Sequence, residues 1–286
     1  MDRGSRMRRK QVKWKHIWIH VCLAAAGIIV AFPFLWMLTN SIKTKDEIWQ
    51  MPPKLMPKAA QWVNYQDALA DGMFYKYMWN SSYTAVITTA IVLVNSALFA
   101  YALVNIKFYG KKILVIIITL TYIMPVAATY IPSYIIVSKL GLMNTHLGYI
   151  LSSSVSIFNI FFFWTTFSQI NDSILDAARV DGAGHWTIFT RIVSPMSVSS
   201  YVTLGILSFI GNYNNYLWPS LIIKDKEKYF VSMGLRTFFS SDGAYGMQWG
   251  AIMAACCVII FPLLILFFFG QKWIIKGITN DAAVKE

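Results

Sequence analysis

The chain has 286 residues, of which 57% are hydrophobic and only 13% are charged. Soluble domains of that total length would carry about a quarter charged residues and much shorter apolar runs, so the composition excludes an unaided soluble globule. The formal net charge of +12 is compatible with nucleic acid, an anionic membrane or simple membrane topology, and the positions of the charges decide between them.

The charged residues leave six long uncharged intervals, each at least 26 residues long: 16–42, 77–106, 113–138, 140–171, 192–223 and 243–271. A helix crosses about 30 Å of hydrocarbon with roughly 20 residues, so each interval is long enough for one crossing and short for two. The runs are apolar at consecutive positions, which disfavours membrane strands. We predict an all-α chain that forms one domain over 1–286, with six transmembrane helices near 17–40, 82–105, 113–137, 148–169, 198–222 and 249–270.

The first span follows a basic segment, as a cleavable signal peptide would. Its apolar stretch continues through Phe32, Phe34 and Trp36, beyond the length of a signal's apolar region, so we predict a retained helix. Seven basic residues precede this span, and three lysines lie between spans two and three. The excess of lysine and arginine predicts that both regions face the cytoplasm, and six crossings return the C-terminus to the same side.

The longest outer segment, residues 43–76, contains three prolines. We interpret it either as a docking surface for an external partner or as a loop that caps the helices. Five further prolines lie within or beside the spans: Pro33, Pro125, Pro132, Pro219 and Pro262. They predict bent helices with free carbonyls near a cavity, unless neighbouring helices satisfy those carbonyls in a rigid packing.

The sequence lacks the motifs that common catalytic, metal-binding and nucleotide-binding sites require. The sequence has no His-Glu-x-x-His, no Gly-x-Ser-x-Gly and no phosphate-binding Gly-rich loop, and its four histidines are scattered. Cys22, Cys256 and Cys257 lie in apolar spans, so no disulfide framework and no metal site is indicated. Ion-coupled carriers keep ionisable groups at membrane depth, and the six intervals have none. A passive channel or an ion-coupled carrier is therefore a less favoured alternative, and a membrane enzyme has no support. Uphill transport would draw its energy from another subunit.

The connection at 172–195 differs from the others because it is mildly acidic. Ser173 and Asp176 have the spacing of a capping box that starts a short helix, and Asp176 and Arg179 can pair one turn apart. Gly182 then breaks the helix, and a second helical stretch runs towards Pro195. A membrane-surface helix would be basic, so this helix–turn–helix favours a protein partner over lipid.

The same segment resembles the cytoplasmic signature of the integral-membrane subunits of binding-protein-dependent ATP-binding-cassette importers. The resemblance rests on the strings Asp176-Ala177-Ala178 and Asp181-Gly182-Ala183, with Ile192 and Pro195 at the expected spacing. Asp176 stands where the family usually has glutamate, and Ser194 stands where leucine is usual. The resemblance implies that 172–195, which we call the coupling segment, contacts a cytoplasmic ATPase through Asp176, Ala177, Ala178, Asp181, Gly182, Ala183, Phe189 and Pro195.

Further strings are similar to the sugar-uptake branch of that family, of the maltose-transporter type, second permease subunit. They are Ser41 to Ile48, Asn64-Tyr65, Met124-Pro125, the run from Asn215 to Pro219, and the run from Gln271 to Gly277. The resemblance implies a permease that pairs with a similar membrane subunit, an ATPase dimer that binds ATP and Mg, and an extracytoplasmic solute-binding protein. It implies no cofactor in this chain, no contact with nucleic acid, and a location in the lipid of a prokaryotic cytoplasmic membrane.

Span five carries a candidate solute path. Ser208, Asn212 and Asn215 lie at i, i+4 and i+7 on one helical face, with Tyr213 and Tyr216 beside them. Amides exchange hydrogen bonds with sugar hydroxyls while aromatic rings cover their C–H faces, which suits a neutral carbohydrate such as an oligosaccharide. The tyrosines could instead form an interfacial belt, and the amides could bond neighbouring helices. Asn95 and Asn159 are weaker candidates for the same path. A sugar acid or an amino acid is the alternative solute.

Overall fold

The computed structural model describes the backbone of residues 3–69, 72–239 and 248–283, and the side chains of 17–69, 72–239 and 248–273. Outside these ranges lie residues 240–247 of the last connection, the side chains of the basic residues before position 17, the side chain of Lys276, and Lys285. The described residues form helices and connections without a strand, so the predicted all-α class is confirmed. The helices are α1 (Arg3–Asn40), α2 (Lys45–Trp49), α3 (Val63–Leu69), α4 (Met73–Asn105), α5 (Lys111–Ile123), α6 (Val126–Lys139), α7 (His146–Ser152), α8 (Ile157–Ser168), α9 (Asp172–Val180), α10 (His185–Ile188), α11 (Ser194–Met196), α12 (Val198–Tyr213), α13 (Leu217–Ile222), α14 (Val231–Thr237) and α15 (Trp249–Ala283).

Three helical stretches are long and apolar enough to cross a membrane unaided: Ile17–Asn40, Met73–Asn105 and Trp249–Trp273. Three further candidates are pairs of helices bent at a short break: α5 with α6 at 107°, α7 with α8 at 43°, and the helical run His185–Met196 with α12 at 77°. The described residues therefore contain three spans, or up to six if each bent pair is one span.

The breaks follow from local sequence. Between α5 and α6, Met124 is extended, at φ −66° and ψ 134°, because a residue before proline is driven out of the helical region. Pro125 then caps α6. Between α7 and α8, Ser156 ends the break, and its hydroxyl accepts a hydrogen bond from the Asn159 backbone N–H at 3.3 Å.

The chain divides into two compact units, which we describe separately. The first unit comprises Met1–Asp71 and Phe238–Val258. In it, the end of α1 is joined to the following segment by Lys43, which is buried and donates to Asn40 Oδ1 at 2.8 Å and to the Lys54 carbonyl at 2.6 Å. Asn64 donates to the carbonyls of Ser41 and Lys43, both at 2.9 Å, so the start of the 43–76 segment is an ordered structure.

The second unit comprises Gly72–Thr237 and Ile259–Glu286 and is built on α4. Near the first residues of α4, Asn80 donates to the carbonyls of Glu227 and Tyr229 at 2.9 and 3.1 Å. Near its last residues, Tyr101 lies in a buried cluster with residues of the coupling segment. A helix rises about 1.5 Å per residue, so these two contact regions are roughly 30 Å apart.

Asn144 joins the loop between α6 and α7 to the loop between α13 and α14, near the first residues of α4. Its Oδ1 accepts from the backbone N–H groups of Lys224 and Asp225, each at 3.0 Å, and its Nδ2 donates to Asp225 Oδ2 at 2.7 Å. Lys228 Nζ lies 2.9 Å from the same carboxylate. The hydrogen bonds from Lys228 and Asn144 hold the pKa of Asp225 below its usual value. The carboxylate therefore stabilises the loop above its ordinary pKa, and this contribution is lost as the pH falls through the lowered pKa.

We predict that Asn144→Gly loosens this loop without straining the backbone. Asn144 has φ +58°, which glycine adopts freely, so only the side-chain hydrogen bonds are lost. Amide hydrogen exchange of the peptide over 222–228 should accelerate by roughly fivefold, as expected for loss of about 1 kcal/mol of hydrogen bonding. Lys139→Gln, an exposed change at the other end of the same connection, serves as the control. Equal exchange in both variants would contradict the prediction.

Candidate functional site

The coupling segment begins with α9, whose N-cap is Asn171. The Asn171 side chain accepts from the Ser173 backbone N–H at 3.0 Å, so the predicted capping box of Ser173 with Asp176 is wrong. The helix starts at Asp172, one residue before Ser173, and the asparagine just before it has the short acceptor that a cap requires. Asp176 instead pairs with Arg179, with Oδ1 and Nη1 2.7 Å apart, as predicted.

The end of α9 is closed by backbone hydrogen bonds. The Gly182 N–H donates to the Arg179 carbonyl at 3.0 Å, and the Ala183 N–H donates to the Ala178 carbonyl at 2.9 Å. Gly182 has φ +81°, the left-handed conformation that this type of helix end requires and that glycine adopts without a penalty. Gly182 therefore ends the helix, as predicted.

The chain then returns to the membrane-spanning helices. It passes through α10, one turn of π-helix over Phe189–Val193, and α11, and it bends by 77° before α12. Pro195 lies in α11, which continues from the π-turn without a break, so its missing N–H removes a donor to the preceding turn. A π-turn inserts one extra residue into a helix and is frequent at functional sites.

One face of the coupling segment is buried against α4, α8 and α12. Leu175 of α9, Ile188 of α10 and Val193 of the π-turn are at most 2% exposed. They share one apolar cluster with Ala97, Ala100 and Tyr101 of α4, Phe163 and Phe167 of α8, and Leu204 of α12. The coupling segment is therefore packed as one body with α4, α8 and α12.

Tyr101 adds a specific polar link to this packing. Its hydroxyl shares a hydrogen bond of 3.1 Å with His185 Nδ1 at the start of α10. Its ring also meets the Phe189 ring edge-on, with centroids 5.2 Å apart. The scattered histidines of the sequence indicated no role for His185, and this contact joins it to α4.

The opposite face of the segment is exposed and partly apolar. Val180 is 87% exposed and Trp186 is 68% exposed, and the Asp176–Arg179 pair lies on the same helix as Val180. Large apolar side chains beside charged ones on an exposed surface are typical of a protein interface.

The eight predicted contact residues divide between these two faces. Five are exposed: Asp176, Ala177, Asp181, Gly182 and Pro195. The other three pack against the buried cluster: Ala178, Ala183 and Phe189. The buried anchors Leu175, Ile188 and Val193 were not predicted from the sequence. The spacing of Leu175 and Ala178 on one face of α9 was the signal that could have identified the first of them.

A polar cavity of about 360 Å³ lies in the same unit, between α6, the α7–α8 break and α12. Its polar lining comes from hydroxyls and amides: Thr129, Ser133, Ser152, Ser153, Ser156, Ser208, Asn212 and Asn215. Two aromatic rings, Tyr130 and Trp218, also line it and stack with centroids 5.7 Å apart. Among the described residues, no charged side chain contributes to this lining.

A hydrogen-bond network holds the side-chain amides of Asn212, in α12, and of Asn215, just after it. The Tyr149 hydroxyl donates to Asn212 Oδ1 at 3.0 Å and accepts from Asn215 Nδ2 at 3.3 Å. Asn212 Nδ2 donates to the Ser208 carbonyl at 2.9 Å, and Asn159 Nδ2 donates to the Ser208 hydroxyl at 2.8 Å. These bonds fix the orientation of the polar groups at the cavity.

The predicted path residues lie in different places. Ser208, Asn212 and Asn215 line the polar cavity together. Asn159 is buried behind them, and Asn95 is exposed and donates to the Ser154 carbonyl at 3.1 Å. Tyr213 is fully buried and does not line the cavity, since it lies one residue off the polar face of α12. Tyr216 faces a second cavity.

The part of the chain with described side chains holds no group of three or more His, Cys, Asp or Glu residues close enough to bind a metal ion.

Comparison with known proteins places the chain in a family. The profile of the family described as "Binding-protein-dependent transport system inner membrane component" matches residues 94–280. The chain is 29% identical to the diacetylchitobiose uptake system permease protein NgcG of Streptomyces coelicolor, over 91% of this chain and 86% of that protein. It is also 29% identical to the lactose transport system permease protein LacG of Rhizobium radiobacter, over 91% and 93% of the two chains.

Two further comparisons agree. The sn-glycerol-3-phosphate transport system permease protein UgpE of Yersinia enterocolitica is 29% identical over 93% of this chain and 96% of that protein. The fold matches a chain of a bacterial ABC transporter involved in the import of the acidic polysaccharide alginate, with a TM-score of 0.81, 21% identity and coverage of 96% and 99%. These matches confirm the resemblance to importer permeases, and with it a transport subunit in place of an enzyme. The chain belongs to the family of inner membrane components of binding-protein-dependent transport systems.

Proposed function

We propose that the chain is one of two transmembrane subunits of an ATP-driven importer that moves a carbohydrate, such as an oligosaccharide, across a prokaryotic cytoplasmic membrane. The observation that carries the proposal is the two-faced packing of the coupling segment. Leu175, Ile188 and Val193 anchor one face against α4, α8 and α12. The other face exposes Val180 and Trp186. The named relatives, which include uptake systems for diacetylchitobiose and lactose, support a carbohydrate as solute.

The proposed architecture is a single permease domain over 1–286 with six spans, in which each bent helix pair counts as one crossing. The excess of basic residues before the first span supports a cytoplasmic N-terminus, and six crossings then put the C-terminus on the same side. The coupling segment follows the fourth span and is therefore cytoplasmic as well.

In this arrangement the energy comes from a partner. An ATPase dimer binds ATP and Mg and presses on the exposed face of the coupling segment, through Asp176, Ala177, Asp181 and Gly182. The buried anchors pass that movement to α4, α8 and α12, and the helices rock between outward-open and inward-open states. The chain itself binds no cofactor. A second permease subunit completes the membrane part, and an extracytoplasmic solute-binding protein delivers the solute, as in the alginate transporter solved with its periplasmic protein.

The polar cavity is the proposed solute path in this subunit. Its hydroxyls and amides can exchange hydrogen bonds with sugar hydroxyls, and the Tyr130–Trp218 stack offers apolar ring faces to the C–H groups of a pyranose. The lack of charge among its described lining residues is compatible with a neutral solute part and gives no relay for protons or sodium ions.

The proposal is tested by uptake into proteoliposomes that contain the complete transporter with its loaded binding protein. Uptake of labelled saccharide should stop when internal ATP is removed and should persist when proton and sodium gradients are dissipated. The reverse pattern would identify an ion-coupled carrier, and uptake that ignores both treatments would identify a channel. Co-purification of an ATPase with the tagged chain is the matching assembly test.

If the polar cavity is the solute path, Asn212→Leu should reduce the rate of uptake. Leucine has a similar size, but it removes the amide from the cavity and leaves the Tyr149 hydroxyl only its longer bond to the Asn212 backbone carbonyl at 3.4 Å. Loss of such hydrogen bonds costs about 1–3 kcal/mol, so initial uptake should fall by roughly tenfold while the complex still assembles. Asn214→Leu is the control, because Asn214 is exposed and does not line the cavity. A similar loss in both variants would argue against the path.

A further inference from the structure

A second cavity adjoins the junction of α12 and α13. Asn215 lines the polar cavity, whereas the next residue, Tyr216, lines this second cavity, which also has a volume of about 360 Å³. We call it the arginine cavity, because Arg236 of α14 is the charged residue in its described lining. The two cavities thus share the α12–α13 junction, through neighbouring residues of one chain segment.

The guanidinium of Arg236 is held in place but is not neutralised. Its Nη1 donates to the Tyr216 hydroxyl, and its central carbon lies 5.7 Å from the centroid of the Tyr216 ring. Within the described side chains, no carboxylate forms an ion pair with it. Arginine has five N–H donors in a rigid plane, so several donors remain for a ligand after the bond to Tyr216. A planar fork of this kind matches a carboxylate or a phosphate group.

The rest of the lining suits a sugar. The hydroxyls of Ser220 and Thr237 donate to carbonyls of their own helices, at 2.8 and 2.7 Å, which leaves their oxygens free to accept hydrogen bonds. The rings of Tyr216 and Tyr229 supply aromatic surface. A saccharide has the hydroxyl donors and the C–H faces that these groups would meet.

We infer that the arginine cavity binds the acidic group of a charged saccharide, a carboxylate or a phosphate, and so assigns the solute to the acidic carbohydrates. The inference rests on the proposed function, which it narrows from carbohydrates in general. Arg236 recognises the acidic group, Tyr216 orients Arg236, and the neighbouring polar cavity is left for the uncharged part of the solute. A contact between Arg236 and the binding protein is the competing role that the experiment must exclude.

Binding to the purified complete transporter tests the inference with matched probe pairs. Trigalacturonate is compared with its methyl ester, in which methylated carboxyl groups carry no charge, and glucose 6-phosphate is compared with glucose. We expect the acidic member of at least one pair to bind, and Arg236→Gln to weaken that binding by about tenfold or more. The pair that responds tells a carboxylate from a phosphate. Lys226→Gln, an exposed charge change on the same connection outside the cavity lining, should leave binding unchanged.

Two more variants guard against a folding effect. Arg236→Lys keeps the charge without the planar fork and should retain part of the affinity. Tyr216→Phe removes only the hydroxyl that holds Arg236 and should weaken binding of the acidic probe by roughly threefold, with unchanged binding of its neutral partner. Equal loss for both members of a probe pair would overturn the inference.

The outcomes separate this inference from the proposed function. If only neutral saccharides drive ATP-dependent uptake and neither acidic probe binds, the importer stands and the acidic-group site is rejected. If Arg236→Gln weakens only the docking of unloaded binding protein, Arg236 serves the partner and the inference is also rejected. If neither neutral nor acidic saccharides support ATP-dependent uptake, the proposed function itself fails.

Discussion

Leu175→Ala is expected to reduce uptake by tenfold or more, to about the background level, while ATP hydrolysis continues. Leu175 is 2% exposed and is the residue of α9 that enters the cluster shared with α4, α8 and α12. Truncating a buried leucine costs about 2–5 kcal/mol, and here the loss falls on the contact that joins the coupling segment to the spans. The measurement is the ratio of solute transported to ATP hydrolysed in proteoliposomes.

The preceding residue provides the control for this variant. Ile174 has a similar size and lies on the same helix, but it is 42% exposed and outside the buried cluster. Ile174→Ala should therefore keep the transport ratio, although it can change the affinity for the ATPase. If both variants lose the ratio to the same extent, the buried anchor is not what transmits movement.

Gly182→Val is expected to give the second large effect, a loss of coupling with normal membrane insertion. Gly182 has φ +81°, and a side chain added there would meet no atom within 4 Å, so the cost arises from the backbone and not from crowding. A β-branched residue in the left-handed region costs roughly 1–2 kcal/mol or more, which favours opening of the turn between α9 and α10. Uptake per ATP should fall by about tenfold or more.

Gly184 offers a matched control two residues away. It is also exposed, and a side chain there meets nothing within 4 Å, but its φ is −75°, which any residue adopts. Gly184→Ala should leave transport near the wild-type rate, and Gly182→Asn should be milder than Gly182→Val because asparagine tolerates left-handed backbone. Wild-type uptake by Gly182→Val would remove Gly182 from the coupling mechanism.

Composition and charge-free runs predicted the helical class because lipid forces every backbone polar group into internal hydrogen bonds. The charge-free runs alone gave no sign of breaks, whereas Pro125 predicted the bend that the structure has between α5 and α6. An apolar run indicates that a segment lies in lipid, but it does not show whether the helix in that segment is unbroken. The Gly182 turn was predictable because only a local backbone conformation is involved.

Long-range contacts could not be predicted in the same way. The Tyr101–His185 hydrogen bond joins residues 84 positions apart, and a scattered histidine gives no sign of such a partner. The spacing of Ser208, Asn212 and Asn215 predicted that they share one cavity, although helical periodicity accounts only for the first two, which lie in α12. It gave no indication that Tyr216 would face a different cavity with Arg236, since the helix ends at Tyr213 and periodicity stops there.

The turn after α9 is held by main-chain hydrogen bonds, by a few inward side chains and by the left-handed backbone of Gly182, so its shape does not depend on the exposed side chains around Gly182. Substitutions of the exposed side chains can therefore adapt the coupling segment to a different ATPase while its backbone and its buried face stay the same. An importer of this kind can therefore acquire a different ATPase subunit during evolution while its membrane-spanning helices stay unchanged.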